Sequence, residues 1–351
     1  MNKYVLITGS NGLVGSETAK FFLEKNYKII GIDNNKRKFF FGVDADTNWI
    51  KKKLLLDENY FHYNIDVTNY KELEKIFKKF LKKISLIVHC AAQPSHDWAY
   101  KNPILDFDIN SKSTLYLLEL MKIYSSNSKF ILTSTNKLYG DNPNKLPLIE
   151  KSKRYEIKKN HKYFKGIKES MSIDNCKHSL FGVSKAYGDL ITQEYGKNFG
   201  LDTIVFRAGC ITGPNHSGVS LHGFLSFLVK SCVEKKKYTI IGHKGKQVRD
   251  NIHSYDLVKC FWEFYKSKNN KKGEVYNIGG GRKSNCSIIE AIDYIEKKIS
   301  IKINKIFLSK SRIGDHVWYI TNNAKFLKSY PKWKQEYNYK KIIDEIIDSI
   351  K

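Results

Sequence analysis

The chain begins with a strand, a glycine-rich turn, a helix and a second strand that ends on an acid, an order that few folds accept. Residues 3–7 form a short apolar run that leads into Thr8-Gly9-Ser10-Asn11-Gly12-Leu13-Val14-Gly15. Val14, Ala19, Phe22 and Leu23 then fall on one side of a helical pattern, and Lys28-Ile29-Ile30-Gly31-Ile32 reads as a strand stopping at Asp33. The glycines follow G-x-x-G-x-x-G, one residue longer than the G-x-G-x-x-G fingerprint, and the same physics applies. Gly9 permits the tight turn, Gly12 lets backbone N–H groups approach a pyrophosphate, and Gly15 lets helix and strand pack closely. Asp33 sits where a carboxylate accepts ribose hydroxyls and repels a 2′-phosphate, so the expected cofactor is NAD rather than NADP. A glycine turn of purely structural use would leave the acid unexplained.

Further strands continue the pattern. Residues 61–67 end near Asp66 and Val67, and Leu86-Ile87-Val88-His89-Cys90-Ala91-Ala92 ends on small residues that let the chain pass beside a cofactor. Strands and helices alternate to about residue 206, which predicts an α/β fold with a Rossmann-type doubly wound parallel sheet. The loop-rich remainder predicts a smaller C-terminal substrate-binding lobe. The expected boundaries are 1–206 with 247–278 for the NAD-binding domain, and 207–246 with 279–351 for the lobe.

The net charge of +26 invites a nucleic-acid reading, but the charge is nearly all lysine spread over every segment. Arginine, the preferred reader of phosphates and bases, occurs only at Arg37, Arg154, Arg207, Arg249, Arg282 and Arg312. A solvated surface is the expectation, with no nucleic-acid partner. No apolar run of about 18 residues suggests a membrane span. The first residues run straight into the glycine loop, which leaves no room for a cleavable signal, and the six cysteines form no C-x-x-C pair. A cytoplasmic protein with reduced thiols and no metal is expected.

Together these features resemble the NAD-dependent epimerase/dehydratase branch of the extended short-chain dehydrogenase/reductase superfamily. The resemblance runs the full length. It includes Ala91-Ala92-Gln93, Asn110, Ser134-Thr135-Asn136-Lys137-Leu138-Tyr139-Gly140, His178 to Lys185, Gly245-Lys246-Gln247-Val248-Arg249-Asp250 and Tyr276-Asn277-Ile278-Gly279-Gly280. It implies an isomerase that converts a nucleotide-diphosphate sugar by transient oxidation with bound NAD, most like a CDP-sugar 2-epimerase, in a homo-oligomer of carbohydrate biosynthesis. It also implies that Gly9, Asn11, Gly12, Leu13, Val14, Gly15, Asp33, Asn34, Asp66, Val67, Ala91, Ala92, Gln93, Asn110 and Lys185 hold the cofactor.

The resemblance places a Tyr-x-x-x-Lys pair and a Ser or Thr at the chemistry. Four residues is about one helical turn, so both side chains share a face. Thr135 and Lys185 match, but Phe181 stands at the tyrosine position and cannot titrate. A native Phe181 with another base, an engineered Tyr→Phe change, and a binding protein with little turnover are three open readings. A one-way oxidoreductase is a further alternative. His96, next to Asp97 in the loop after Gln93, is one candidate base, its side chain titrating near neutral pH; a surface-loop histidine is the bland reading. His178 and Tyr139 are weaker candidates.

At the substrate end, Arg249 offers a fork of donors for a diphosphate and Arg312 resembles a second such arginine. Gly213-Pro214-Asn215 begins a loop that enters a helix over the nucleotide base after Leu221-His222-Gly223-Phe224. Thr135, Asn136, Lys137, His178 and Asn215 complete the expected substrate set. The 4,6-dehydratases of the superfamily carry Thr-Asp-Glu where this chain has Thr135-Asn136-Lys137, so that elimination is not expected.

Overall fold

The computed structural model describes residues 3–219, 223–310 and 314–350. In chain order the elements are β1 (Tyr4–Thr8), α1 (Leu13–Leu23), β2 (Lys28–Ile32), α2 (Lys36–Phe41), α3 (Asn48–Leu54), β3 (Tyr60–Tyr63), α4 (Tyr70–Phe80), β4 (Ile84–His89), α5 (His96–Lys101), α6 (Pro103–Phe107), α7 (Ser113–Tyr124) and β5 (Lys129–Thr135). There follow β6 (Leu148–Glu150), β7 (Tyr155–Ile157), α8 (Leu180–Lys197), β8 (Asp202–Ala208), β9 (Cys210–Thr212), α9 (Phe224–Val233), β10 (Tyr238–Ile241), β11 (Val248–His253) and α10 (Ser254–Lys266). The chain ends with β12 (Glu274–Ile278), β13 (Asn285–Ser287), α11 (Ile288–Ile299), β14 (Lys305–Leu308), β15 (Trp318–Tyr319), α12 (Ala324–Ser329) and α13 (Tyr339–Ile350).

Seven strands form the main sheet in the order β12-β8-β5-β4-β1-β2-β3. The pairs β1–β2, β1–β4, β2–β3 and β4–β5 are parallel. Strands β1, β2 and β4 are nearly continuous apolar runs, as expected of strands covered by helices on both faces. The helices supply matching apolar stripes. On α4, Asn69 caps the N-terminus by accepting the Glu72 N–H, and Leu73, Ile76, Phe77 and Phe80 are buried at one-turn spacing. They join Leu6, Ile30, Ile87, Leu117 and Phe130 in one core.

The chain divides into two compact units. The first is Met1–Thr135, Leu180–Arg207 and Val258–Tyr276, and the second is Asn136–Ser179, Ala208–Leu257 and Asn277–Lys351. This partition departs from the sequence boundaries in two places. Residues 136–179 fall in the second unit, and so does β11, which pairs with β9, β13 and β15. The second unit has its own core, in which Leu225, Leu228, Ile240, Ile292, Ile295, Ile343 and Ile346 pack together. Helix α11 of this unit starts with a capping box between Ser287 and Glu290.

All six cysteines are free thiols. Among the described residues no helix is long and apolar enough to cross a membrane, and no group of three or more His, Cys, Asp or Glu side chains gathers in a way that could hold a metal.

One buried ion pair braces the first unit. Arg207 donates through Nε and Nη2 to both oxygens of Asp189 at 2.9 and 2.8 Å, and Ser134 Oγ donates to the same carboxylate at 2.9 Å. Removing one member leaves the other charge buried, which costs about 3–5 kcal/mol. Asp189→Ala is therefore expected to lower unfolding free energy by about that amount in urea titration, whereas the exposed Asp97→Ala changes it by less than about 0.5 kcal/mol.

Candidate functional site

The glycine turn lies where the strand order reverses between β1 and β4, the switch point at which open α/β sheets bind ligands. Gly9 has φ +68°, and a Cβ there would meet Ala91 N at 2.8 Å. A Cβ on Gly15 would lie 2.1 Å from Gly9 O, so the helix can approach the strand only without one. A Cβ on Gly12 would meet only Gly9 O, at 3.3 Å, leaving its outer side open for a phosphate. Leu13 and Val14 open α1 immediately afterwards, pointing its N-terminal N–H groups at the same place.

Asp33 follows β2 and is almost wholly buried. It accepts the Asn11 N–H on Oδ2 at 3.0 Å and the Asn35 N–H on Oδ1 at 2.7 Å. Burial raises its carboxyl pKa in spite of those two N–H donors. Asn34 donates to Asp66 Oδ2 at 3.0 Å, and Lys36 Nζ reaches the same oxygen at 2.7 Å. Burial opposes ionisation of Asp66, but Lys36 and Thr68 outweigh it and hold the carboxyl below its usual range. The Val67 side chain is buried in the core, where it serves packing. Lys36 is thus engaged, and the Arg37 guanidinium lies 5.1 Å from the centre of the Phe41 ring. These placements suit an unphosphorylated ribose.

After β4 the chain is pinned from several directions. Cys90 N donates to Thr8 O and Ala91 N to Thr8 Oγ1, both at 3.2 Å. Asn110 clamps the backbone of Gln93, accepting its N–H at 3.0 Å and donating to its carbonyl at 2.9 Å. Asn110 lies in a π-helical turn, Asp108–Lys112, a feature that often marks functional sites. Its Nδ2 also donates to Asp106 Oδ1 at 2.9 Å and Ser184 Oγ at 3.3 Å. Asp106 and Ser184 were not singled out from sequence. Asp106 sits one helical turn before Asn110, and that spacing is the signal.

Thr135 ends β5. On α8, Phe181 and Lys185 are buried one turn apart. Lys185 Nζ donates to Thr133 O at 2.9 Å, and burial lowers its amine pKa to about 8. His96 is half-buried, and its ring centre lies 5.0 Å from that of Phe181, edge to face at 67°. Asp97 is exposed, and neighbouring helix positions do not face each other. His96 thus lies against the ring that stands at the expected tyrosine position.

In the second unit, Arg249 Nη2 donates to Asp315 Oδ1 at 2.5 Å and Nη1 to Val248 O at 3.0 Å. Lys137 Nζ donates to Gly314 O at 2.9 Å and lies 4.0 Å from Asp315 Oδ1. Burial lowers the Lys137 amine to about 8, against the pull of Asp315. Burial would raise the Asp315 carboxyl, but Arg249 and Lys137 drive it well below its usual range. Phe224, Phe227, Tyr238 and Gln247 line an open pocket with Arg249 and Asp315. Asn136 is buried beside Lys137 in sequence, and Asn215 is half-buried. His178 Nε2 meets Ile173 O at 2.8 Å, and Tyr139 is a buried packing residue whose hydroxyl donates to Asn277 Oδ1 at 2.8 Å. Arg312, like Leu221 and His222, lies outside the described residues. Asp315, the partner of Arg249, was missed as a site residue because their pairing joins positions far apart in sequence.

Residues 5–279 match the family model described as NAD dependent epimerase/dehydratase family. The chain belongs to that family. NAD is accordingly its cofactor, and the glycine turn, Asp33 and the Asn110 clamp form a cradle that suits it. The chain is 30% identical over 305 residues to CDP-paratose 2-epimerase of Salmonella typhi, covering 85% of each protein. It is 31% identical over 303 residues to dTDP-D-glucose 4,6-dehydratase of Dictyostelium discoideum, covering 85% of this chain and 62% of that protein. Among solved structures it is similar, at TM-score 0.77 and 25% identity, to a Tyr→Phe mutant of UDP-glucuronic acid 4-epimerase from Bacillus cereus, in complex with UDP-4-deoxy-4-fluoro-glucuronic acid and NAD. That match covers 99% of this chain and 98% of the other.

Asp33→Ala is expected to bring the NADP affinity to within about tenfold of the NAD affinity, since a carboxylate beside a 2′-phosphate is the repulsive element. Calorimetric titration of both dinucleotides checks this. Tighter binding of NADP than NAD by the parent would show that Asp33 does not set the preference.

Proposed function

We propose that this protein is a nucleotide-sugar epimerase that works by transient oxidation with tightly held NAD, most like a CDP-sugar 2-epimerase. The observation that carries the substrate class is the buried Arg249, with Lys137 and Asp315 beside it and Phe224, Phe227 and Tyr238 along the same pocket as Arg249. A forked cation suits two phosphate oxygens, and aromatic walls suit a base. The fork of Arg249 donates to Asp315. A diphosphate would compete for Arg249, with Lys137 supplying further positive charge.

In this reading Lys185 holds the nicotinamide ribose and Thr135 contacts the sugar. Asn136, Lys137, His178, Asn215 and Arg249 take the nucleotide sugar, with Arg312 as a second phosphate ligand. Bound NAD supplies acceptance and return of a hydride. Asn136 and Lys137 argue against 4,6-dehydration, which needs an acid and a base beside the threonine. Free thiols suit a reducing cytoplasm. Self-association is part of the proposal, because Ile104 and Phe107 on α6 and Val183 and Leu190 on α8 leave apolar surface exposed.

A second reading, a protein that binds NAD and a nucleotide sugar with little turnover, is favoured by Phe181. A one-way oxidoreductase would differ from both by exchanging NADH with solution. In the Bacillus cereus mutant a Tyr→Phe replacement coexists with a bound nucleotide-sugar analogue and NAD. Mass spectrometry of ligands that copurify with the full chain tests the substrate class; neither NAD nor a nucleoside diphosphate in any preparation would count against it. Arg249→Ala is expected to weaken calorimetric binding of UDP-glucose or CDP-glucose by about 1.5–3 kcal/mol, the range for a hydrogen bond to a charged group. NAD retention should stay unchanged, and equal loss of both ligands would point to a fold defect.

A further inference from the structure

We propose that His96 is the catalytic base that replaces the missing tyrosine, an inference that rests on the epimerase reading above. Oxidation of a sugar alcohol removes two hydrogens: the carbon gives a hydride and the oxygen must give a proton to a base. Phe181 has no group that can take it. The amine of Lys185 is committed to Thr133 O at 2.9 Å. The His96 imidazole lies against the Phe181 ring, 5.0 Å away between ring centres, and carries nitrogens that can accept a proton.

The chain on either side of His96 is held in place to a degree that a surface-loop histidine does not need. Gln93 Oε1 accepts the Ser95 N–H at 2.6 Å, and Gln93 Nε2 donates to Ser95 O at 2.9 Å and to Asp106 Oδ1 at 2.7 Å. Gln93 is itself clamped by Asn110 through both backbone groups. On the other side Ser95 Oγ accepts the Trp98 N–H at 3.3 Å, and Trp98 Nε1 donates to Phe40 O at 2.7 Å. Gln93 and Ser95 are buried, as is Ala99 on the inner side of α5. A preorganised group of this kind is what general-base catalysis requires.

The step balances without any further reactant. As hydride leaves the sugar carbon for NAD, the O–H bond breaks, its proton passes to an imidazole nitrogen, and the C–O bond becomes a carbonyl. Return of hydride to the opposite face takes the same proton back to oxygen. The edge-to-face contact holds the imidazole against the ring that stands at the tyrosine position, so Phe181 is a positioning residue.

The test uses the NAD-loaded full chain with CDP-glucose and UDP-glucuronic acid as probes, and reads affinity by calorimetry separately from turnover. His96→Ala is expected to lower turnover by about 10²–10⁴-fold while NAD and probe affinities stay within about twofold. Added imidazole should restore turnover at least about tenfold, a rescue that a merely structural histidine would not show. His96→Gln should match His96→Ala in rate. Turnover by His96→Ala within about threefold of the parent overturns the proposal, as does a loss that imidazole does not restore. A gain of about 10²-fold on Phe181→Tyr with little effect of His96→Ala overturns it as well. Binding of NAD and probe without any turnover by the parent overturns the catalytic role and leaves the ligand assignments standing. Failure to bind any nucleotide sugar overturns the epimerase reading and this inference with it.

Discussion

The approach of Gly9 to Ala91 is the constraint on which the cofactor cradle depends. The first loops of the two halves of the sheet meet at the reversal of strand order, with room for backbone alone. Gly9 N donates to Ile32 O at 2.8 Å, and Thr8 ties the start of the next loop through its carbonyl and hydroxyl. His89, kept neutral by burial that lowers it to about 3, bridges Thr8 and Ser113 behind them. Side-chain bulk at Gly9 or Gly15 would separate β1 from β4 or α1 from β1. The crevice, the approach of Gly12 to a phosphate and the position of Asp33 all follow from that contact.

Lys185 and the Arg249–Lys137 pair are held as buried cations in different ways. Lys185 donates to the Thr133 carbonyl, and desolvation lowers its amine toward neutrality against the pull of Asp106 and Asp189. In the second unit, Arg249 and Lys137 share Asp315, whose carboxylate offsets their burial. Two cations on one carboxylate leave a net positive charge in a partly apolar setting, where electrostatic attraction for an anion is stronger than in water.

Much of this could be read in the sequence, for a local reason. The strand, glycine turn, strand and acid lie within about thirty residues, and each residue type answers a backbone or ribose requirement of its own neighbourhood. The doubly wound sheet and the NAD family follow from that stretch and from its repetition along the chain. Asn110, Lys185 and Arg249 were legible through resemblance, and the geometry supplies the reasons: a clamp on Gln93, a buried amine beside β5, and a fork beside a pocket. The role of Asp315 was not legible. Its partner, Arg249, is remote in sequence, and no periodicity connects them.

Phe181 and His96 mark the boundary between the two kinds of knowledge. Sequence alone determined that the tyrosine position carries a ring without a proton and that a histidine occurs 85 residues earlier, between Ser95 and Asp97. It suggested an acid partner for that histidine. Tertiary structure decided that Asp97 on α5 is exposed while the imidazole packs on the Phe181 ring of α8. It also decided that β11 pairs with β9, β13 and β15 rather than joining the main sheet. Both outcomes depend on which surfaces remain to be buried once the sheet has formed, and that competition is settled by packing across the chain rather than by any local pattern.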